Sequence, residues 1–201
     1  MITDKIGKAG KFILTKIVKF LAKCHINPNF LTLTGLLISI IAAFYFSRGE
    51  FITTGILIIL GGFMDMLDGS LARETNTVSK FGGFFDSVID RYSDIILYLG
   101  LIVYFGKIPR FHYVVLVGVC IMGSVMTSYT RARAESIIKS CKVGFLERPE
   151  RVVLLIIGCL FNRIEAVLWV IAVLSNWTVI VRIVYTYLEL PKVHIIKPTI
   201  D

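Results

Sequence analysis

Six apolar stretches succeed one another along the 201 residues, at about 31–46, 52–71, 84–105, 112–129, 152–161 and 166–188. A helix needs about 20 apolar residues to cross a bilayer. Backbone polar groups in hydrocarbon must be bonded within their own segment, which makes spans of this length helical. The rest of the composition agrees: 56% of residues are hydrophobic and 18% charged, with mean hydropathy +0.78, against about 25% charge in an ordinary soluble domain. Disorder, a coiled coil and a soluble enzyme are excluded. The chain reads as an all-α integral membrane protein with six transmembrane helices. Asn27-Pro28-Asn29 is a helix-entry signal before the first. The fifth stretch is short, so its helix should begin before Arg151 and leave the bilayer early. No internal repeat is visible.

The net charge of +8 could suggest nucleic acid, but the positions of the cations argue against it. Lys5, Lys8, Lys11, Lys16, Lys19 and Lys23 recur at helical spacing among Ile6, Phe12, Ile13, Ile17, Val18, Phe20 and Leu21. That pattern predicts an amphipathic interfacial helix over residues 1–24, lying on an anionic membrane surface; a solvated helix in an extramembrane cap is the alternative. The lysines interrupt every apolar run and no small-residue cleavage site follows, unlike a signal peptide. The six-span domain then covers 25–190, with a short loose tail over 191–201. With an even number of spans both termini share a side. That side carries the N-terminal lysines, Arg73, Lys80, the basic residues from Arg131 to Arg151, Arg182, Lys192 and Lys197. Arg48, Lys107, Arg110 and Arg163 fall on the other. The excess of Lys and Arg makes the first side cytoplasmic, in a multi-pass protein of the cell membrane. Cys24, Cys120, Cys141 and Cys159 form no CxxC pair and are assigned no chemistry.

Five carboxylates, Asp65, Asp68, Asp86, Asp90 and Asp94, fall within thirty positions at the membrane-facing ends of spans two and three. An ionised carboxylate near hydrocarbon costs several kcal/mol unless it is paired or metal-bound. Asp65 and Asp68 share one helix face, as do Asp86, Asp90 and Asp94. A short loop makes the two helices antiparallel neighbours, so the acidic faces can meet just inside the cytoplasmic interface. Converging carboxylates repel unless cations lie between them, and hard oxygen donors select Mg²⁺, Mn²⁺ or Ca²⁺. Such a centre with open positions for phosphate suits phosphoryl transfer. Gly69 leaves room for a ligand, Arg73 can neutralise phosphate oxygens, and Gly82 and Gly83 would let span three pack closely. Asp94 either backs the metal-binding carboxylates or pairs with Arg91.

Written out, Asp65 to Asp90 reads D-M-L-D-G-S-L-A-R, eight residues, then G-G-F-F-D-S-V-I-D. This resembles the signature of the CDP-alcohol phosphatidyltransferase family, D-x2-D-G-x2-A-R-x8-G-x3-D-x3-D. All its fixed positions match, at Asp65, Asp68, Gly69, Ala72, Arg73, Gly82, Asp86 and Asp90. The six-span layout and Pro28-Asn29-x-x-Thr32 are similar to the family as well. The resemblance implies that an alcohol attacks the lipid-side phosphorus of a CDP-linked lipid and CMP leaves. It implies metal ligation by Asp65, Asp68, Asp86 and Asp90, by two Mg²⁺ ions or by Mn²⁺, with Asp90 also taking the alcohol's proton. Asn29, Thr32, Gly69, Arg73 and Ser79 would hold the cytidine diphosphate, and a homodimer is expected. The lipid is CDP-diacylglycerol or CDP-archaeol; apolar chains in a bilayer discriminate poorly between them.

The acceptor is read from the basic connection. Ser128-Tyr129-Thr130-Arg131-Ala132-Arg133-Ala134-Glu135 and Glu147-Arg148-Pro149-Glu150-Arg151 put several arginines beside the carboxylates. A phosphorylated alcohol needs them, because arginine grips phosphate bidentately. The two segments resemble those of the phosphatidylinositol-phosphate and archaetidylinositol-phosphate synthases of the family. The implied acceptor is inositol 1-phosphate, with Ser128, Arg131, Arg148 and Arg151 on its phosphate. Glycerol 3-phosphate is the alternative. Pairing of the arginines with Glu135, Glu147 and Glu150 is the purely structural one, and Arg133 and Glu135 fit it best. A divalent-cation transporter would place its acids nearer the midplane, often with repeat symmetry. An intramembrane aspartyl protease would lack this glycine and arginine context.

Overall fold

A computed structural model describes residues 14–195, with side chains to residue 190. The described residues are all-helical and contain no strand. A first helix, α1, covers 14–23. It is followed by α2 (Pro28–Arg48), α3 (Phe51–Glu74), α4 (Lys80–Lys107), α5 (Phe111–Glu135), α6 (Arg148–Leu160) and α7 (Ile164–Ile195). Helices α2 to α7 lie where the six apolar stretches place them, and α6 begins before Arg151, as its short apolar run requires. By length and composition α2, α3, α5 and α7 are long and apolar enough to cross a membrane. Helix α4 carries Asp86, Asp90, Arg91 and Asp94 in its first half, and α6 has only 13 residues.

Local chemistry sets the boundaries near the carboxylates. Asn27 caps α2 by accepting from the Asn29 backbone N–H at 3.0 Å, with Pro28 entering the first turn. Gly49 ends that helix in the left-handed region, φ 78°. Ser79 caps α4 by accepting from the Gly82 N–H at 2.9 Å. Glu147 and Glu150 form a reciprocal capping box on α6, which holds the first turn, and so Arg148 and Arg151, in a defined orientation.

The packed neighbours form a closed ring, α2–α4–α5–α7–α6–α3 and back to α2. Among the described residues α3 and α4 share few close backbone contacts while α2 packs along both; the acidic faces of α3 and α4 nevertheless meet as expected, and the space between the two helices is a cleft. The apolar core fills the other half of the ring, around Phe46, Leu97, Leu101, Phe105, Leu155, Leu168 and Ile171. Outward-facing Leu37, Phe44, Ile56, Trp169, Val173 and Trp177 are exposed, as the lipid-facing surface of a membrane bundle requires.

The close approach of α4 to a neighbour is made at Gly100, not at Gly82 and Gly83. A Cβ on Gly100 would collide with the Ala43 carbonyl oxygen of α2, whereas one on Gly83 would meet nothing within 4 Å. Gly100→Ala should therefore destabilise the bundle by about 1–3 kcal/mol, read as a lower midpoint of thermal unfolding in detergent; an unchanged midpoint would show that the two helices separate freely there.

On α1 the buried Val18, with Leu14, Ile17 and Leu21, packs against Leu31, Leu67 and Leu71. Lys16, Lys19, Lys23 and Phe20 are exposed. Lys5, Lys8, Lys11, Ile6, Phe12 and Ile13 of the expected amphipathic helix lie outside the described residues. The backbone of α7 continues through Pro191 to Ile195, so the helix runs past the point where a loose tail was expected; 196–201 lie outside the described residues.

Candidate active site

The carboxylates converge as their spacing requires. Ligand oxygens of Asp65 and Asp68, from the end of α3, and of Asp86, from the second turn of α4, all lie within 4.8 Å of one another. Asp68 is buried, and its Oδ2 accepts from the Thr32 hydroxyl at 2.6 Å. Thr32, expected on the nucleotide, thus reaches from α2 to orient a carboxylate of the cluster. Asp86 Oδ1 is buried and has no hydrogen-bond partner among the described residues. A buried orphan oxygen facing two further carboxylates is a costly arrangement. Three hard oxygen donors at this separation fit a divalent cation.

A cavity of about 780 Å³ opens beside this trio. Asn29, Thr32, Asp68, Gly69, Arg73, Ser79, Gly82 and Asp86 line it, with Thr75, Thr77 and Val78 of the α3–α4 loop. All five residues expected to hold the cytidine diphosphate therefore share one cavity with Asp68 and Asp86. Ser79 is at once a lining residue and the cap of α4. A second cavity, about 470 Å³, runs below between α2, α3, α4 and α6, with Gly35, Leu36, Ile58, Ile59, Ile89 and Val152 among its walls and Asp65, Asp90 and Arg148 at its polar end. Thr32 belongs to both.

Asp90 lies one turn beyond Asp86 and outside the close trio. Its Oδ1 is 2.9 Å from Arg148 Nη1, which also donates to Asp65 Oδ2 at 3.2 Å. Arg148 Nε is 3.5 Å from Asp94 Oδ1, and Arg151 Nη2 donates to Asp94 Oδ2 at 3.0 Å. Arg151 is buried, 2% exposed. Asp94 therefore pairs with the α6 arginines and not with Arg91, whose Nη1 donates instead to the Ser87 carbonyl one turn back on its own helix. Two of the four acceptor-phosphate candidates, Arg148 and Arg151, are thus brought to the carboxylates.

Arg131 takes other partners among the described residues. It pairs with Glu147 at 2.8 Å and with Glu135 at 3.3 Å, the structural pairing weighed for it above, while Ser128 lies half-buried one turn earlier on α5. Arg133 donates to Ser136 Oγ at 3.2 Å. Sequence reasoning counted Arg182 only as a topogenic charge. It is 1% exposed on α7, donating to Glu147 Oε1 at 2.8 Å, to the Val143 carbonyl at 2.8 Å and to the Thr127 carbonyl at 2.5 Å. Its signal was present: a lone arginine inside an apolar run marks a required partner. Gly144, at φ +122°, seats the same loop against Thr178, where a Cβ would collide with Thr178 Cγ2.

Comparison with known proteins places the chain. It is 40% identical over 183 residues to an archaetidylinositol phosphate synthase of Pyrococcus horikoshii, covering 90% of this chain and 94% of that protein. It is 32% identical to a phosphatidylinositol phosphate synthase of Streptomyces avermitilis, over 90% of this chain and 84% of the other. The fold is similar to that of the Mycobacterium tuberculosis phosphatidylinositol phosphate synthase solved with manganese and citrate, at TM-score 0.81 and 28% identity, covering 87% of this chain and 88% of that one. The same enzyme with CDP-DAG bound superposes at TM-score 0.79 with 27% identity, over 87% of this chain and 94% of the other. Residues 25–188 match the CDP-alcohol phosphatidyltransferase family, and this membrane protein, a transferase, belongs to that family.

Proposed function

We propose that the protein transfers a phosphatidyl or archaetidyl group from CDP-diacylglycerol or CDP-archaeol to inositol 1-phosphate, releasing CMP. The observation that carries this reading is the meeting, within one ring of helices, of the Asp65–Asp68–Asp86 trio, a cavity lined by Gly69 and Arg73, and Arg148 of α6 beside Asp65 and Asp90. The similarity to archaetidylinositol phosphate synthases supports the acceptor.

Asp65, Asp68 and Asp86 hold divalent cation, Mg²⁺ by preference with Mn²⁺ as substitute, and Asp90 completes a pair of sites. When bound, the metal offsets the charge of the pyrophosphate and of the departing CMP. Asn29, Thr32, Gly69, Arg73 and Ser79 seat the cytidine diphosphate in the larger cavity, and the lipid end points toward the apolar lower one. A hydroxyl of the acceptor attacks the phosphorus bearing the lipid, Asp90 takes its proton, and the bond to CMP breaks with the electron pair leaving on CMP. Ser128, Arg131, Arg148 and Arg151 receive the acceptor's phosphate, Arg148 and Arg151 directly beside the carboxylates. Six helices span the cell membrane, with both termini and the site on the cytoplasmic side, where the basic residues concentrate. Helix α1 lies on that surface with Lys16, Lys19 and Lys23 turned outward, and the working unit is a homodimer.

The test is CMP release by the purified protein in nanodiscs with Mg²⁺ and a CDP-linked lipid, offered inositol 1-phosphate, glycerol 3-phosphate, free inositol or serine. Release with inositol 1-phosphate alone supports the reading. Release with glycerol 3-phosphate instead overturns the acceptor and keeps the chemistry, and no release with any acceptor favours cation transport. In the same assay Arg148→Ala should raise the acceptor's KM by about tenfold or more, the loss expected for a charged hydrogen bond to phosphate. An unchanged KM would leave Arg148 only the task of bracing carboxylates.

A further inference from the structure

We propose that Asp94 is a positioning residue for the acceptor: from α4 it orients Arg148 and Arg151 together as a fork that grips the acceptor's phosphate. This rests on the acceptor reading above and assigns a role to a carboxylate outside the family signature. Arg148 and Arg151 leave α6 three residues apart, on adjacent positions of one face. Each has a long side chain with many rotamers, and two guanidiniums side by side repel. Asp94 removes both problems, because its two oxygens face different arginines, Oδ1 3.5 Å from Arg148 Nε and Oδ2 3.0 Å from Arg151 Nη2. Asp94 is itself 8% exposed, so the geometry it imposes is not diluted by solvent.

A second observation points to an anion. Arg148 Nε, Arg151 Nε and Arg151 Nη1 are buried and have no hydrogen-bond partner among the described residues; at 3.5 Å the contact of Arg148 Nε with Asp94 is an ion pair, not a hydrogen bond. Three buried cationic donors lack acceptors on this pair of residues, of which Arg148 lines the polar end of the lower cavity beside Asp65 and Asp90 and Arg151 stands behind it on Asp94. The oxygens of a phosphate monoester supply acceptors of the required charge and number. Asp94 does not itself touch that phosphate, since two anions repel; it acts through the arginines it holds.

The experiment compares Asp94→Glu and Asp94→Asn with the unaltered full chain in nanodiscs, with Mg²⁺ and a CDP-linked lipid. Asp94→Glu keeps the charge and displaces it by one methylene, which guards against a failure to fold when Asp94→Asn leaves the buried Arg151 without a carboxylate. The KM for the CDP-lipid reports an intact donor site. Both variants should raise the KM for inositol 1-phosphate by about tenfold or more while kcat and the CDP-lipid KM stay within about twofold. A merely structural role would lower the amount of active protein and leave the acceptor KM where it was, and that result overturns the proposal. A fall in kcat at unchanged KM also overturns it, placing Asp94 in the chemical step. If the unaltered protein uses glycerol 3-phosphate rather than inositol 1-phosphate, the acceptor reading fails on its own. Asp94 is then judged by the KM for glycerol 3-phosphate, a rise supporting the fork and no rise refuting it. Turnover of neutral alcohols only would overturn both readings.

Discussion

Asp90→Asn is expected to reduce CMP release by about 10²–10⁴-fold, the usual contribution of a general base, while the CDP-lipid still binds. The asparagine has the size and shape of the aspartate, so Arg148, now 2.9 Å from Asp90 Oδ1, keeps an acceptor there and α6 keeps its place. What is lost is the negative charge and the capacity to take a proton. Donor binding should survive because Asp90 lies outside the trio whose oxygens fall within 4.8 Å of one another, and it does not line the larger cavity. Turnover and CDP-lipid binding, measured on the same nanodisc preparation, separate the two functions. Turnover near that of the unaltered protein would remove Asp90 from the mechanism; loss of donor binding together with turnover would make it chiefly a metal ligand.

Asp86→Ala should have an effect as large, by a different route. Asp86 contributes a carboxylate from α4 that faces Asp65 and Asp68 of α3 across the gap between those helices, and its Oδ1 has no hydrogen-bond partner among the described residues. Deleting it leaves the trio with two donors, both from α3, and removes the α4 oxygen that lies within 4.8 Å of them. Affinity for Mn²⁺, followed by the loss of the free ion's paramagnetic resonance signal, should fall by about a hundredfold or more, since even altering a supporting group costs 10–100-fold. Turnover should fall with it. Thr32→Val should be milder in the same titration, because it removes the 2.6 Å hydrogen bond to Asp68 and leaves every carboxylate in place. Wild-type Mn²⁺ affinity in Asp86→Ala would dismiss the trio as a metal centre.

Much of the site was legible because it is written in short spacings. Asp65 and Asp68 at i, i+3 and Asp86 and Asp90 at i, i+4 must share helix faces whatever the rest of the chain does. Of the cavity-lining set, Gly69, Arg73 and Ser79 lie in or close to the same two helix ends, whereas Asn29 and Thr32 come from the start of α2, Thr32 lying 36 residues before Asp68, and were legible through the family resemblance. Helix limits were legible at Asn27-Pro28, where the cap is local, and at the start of α6, whose apolar run is too short to stand alone; the Glu147–Glu150 box that fixes that start is a finding of the structure. Asp94 was harder, since its helix offers Arg91 three residues back; the partner it takes, Arg151, is 57 residues away. Arg182 was read as a charge on one side of a membrane, yet it is buried and bonded to Glu147 and to two loop and helix carbonyls.

By itself, then, the sequence determined an all-helical membrane chain, the helix faces that carry its carboxylates, and the chemistry those carboxylates can support, because each follows from hydropathy and from periodicities shorter than two helical turns. Only the tertiary structure decided that α2 packs along both α3 and α4, that α6 closes the ring and brings Arg148 to Asp65 over 83 residues, and that Asp94 joins the arginines. Those outcomes depend on which helix faces fit together, as at Gly100 against Ala43, and on which buried charge finds which partner. Neither is encoded in spacing along one helix; both come from packing and desolvation across the whole ring.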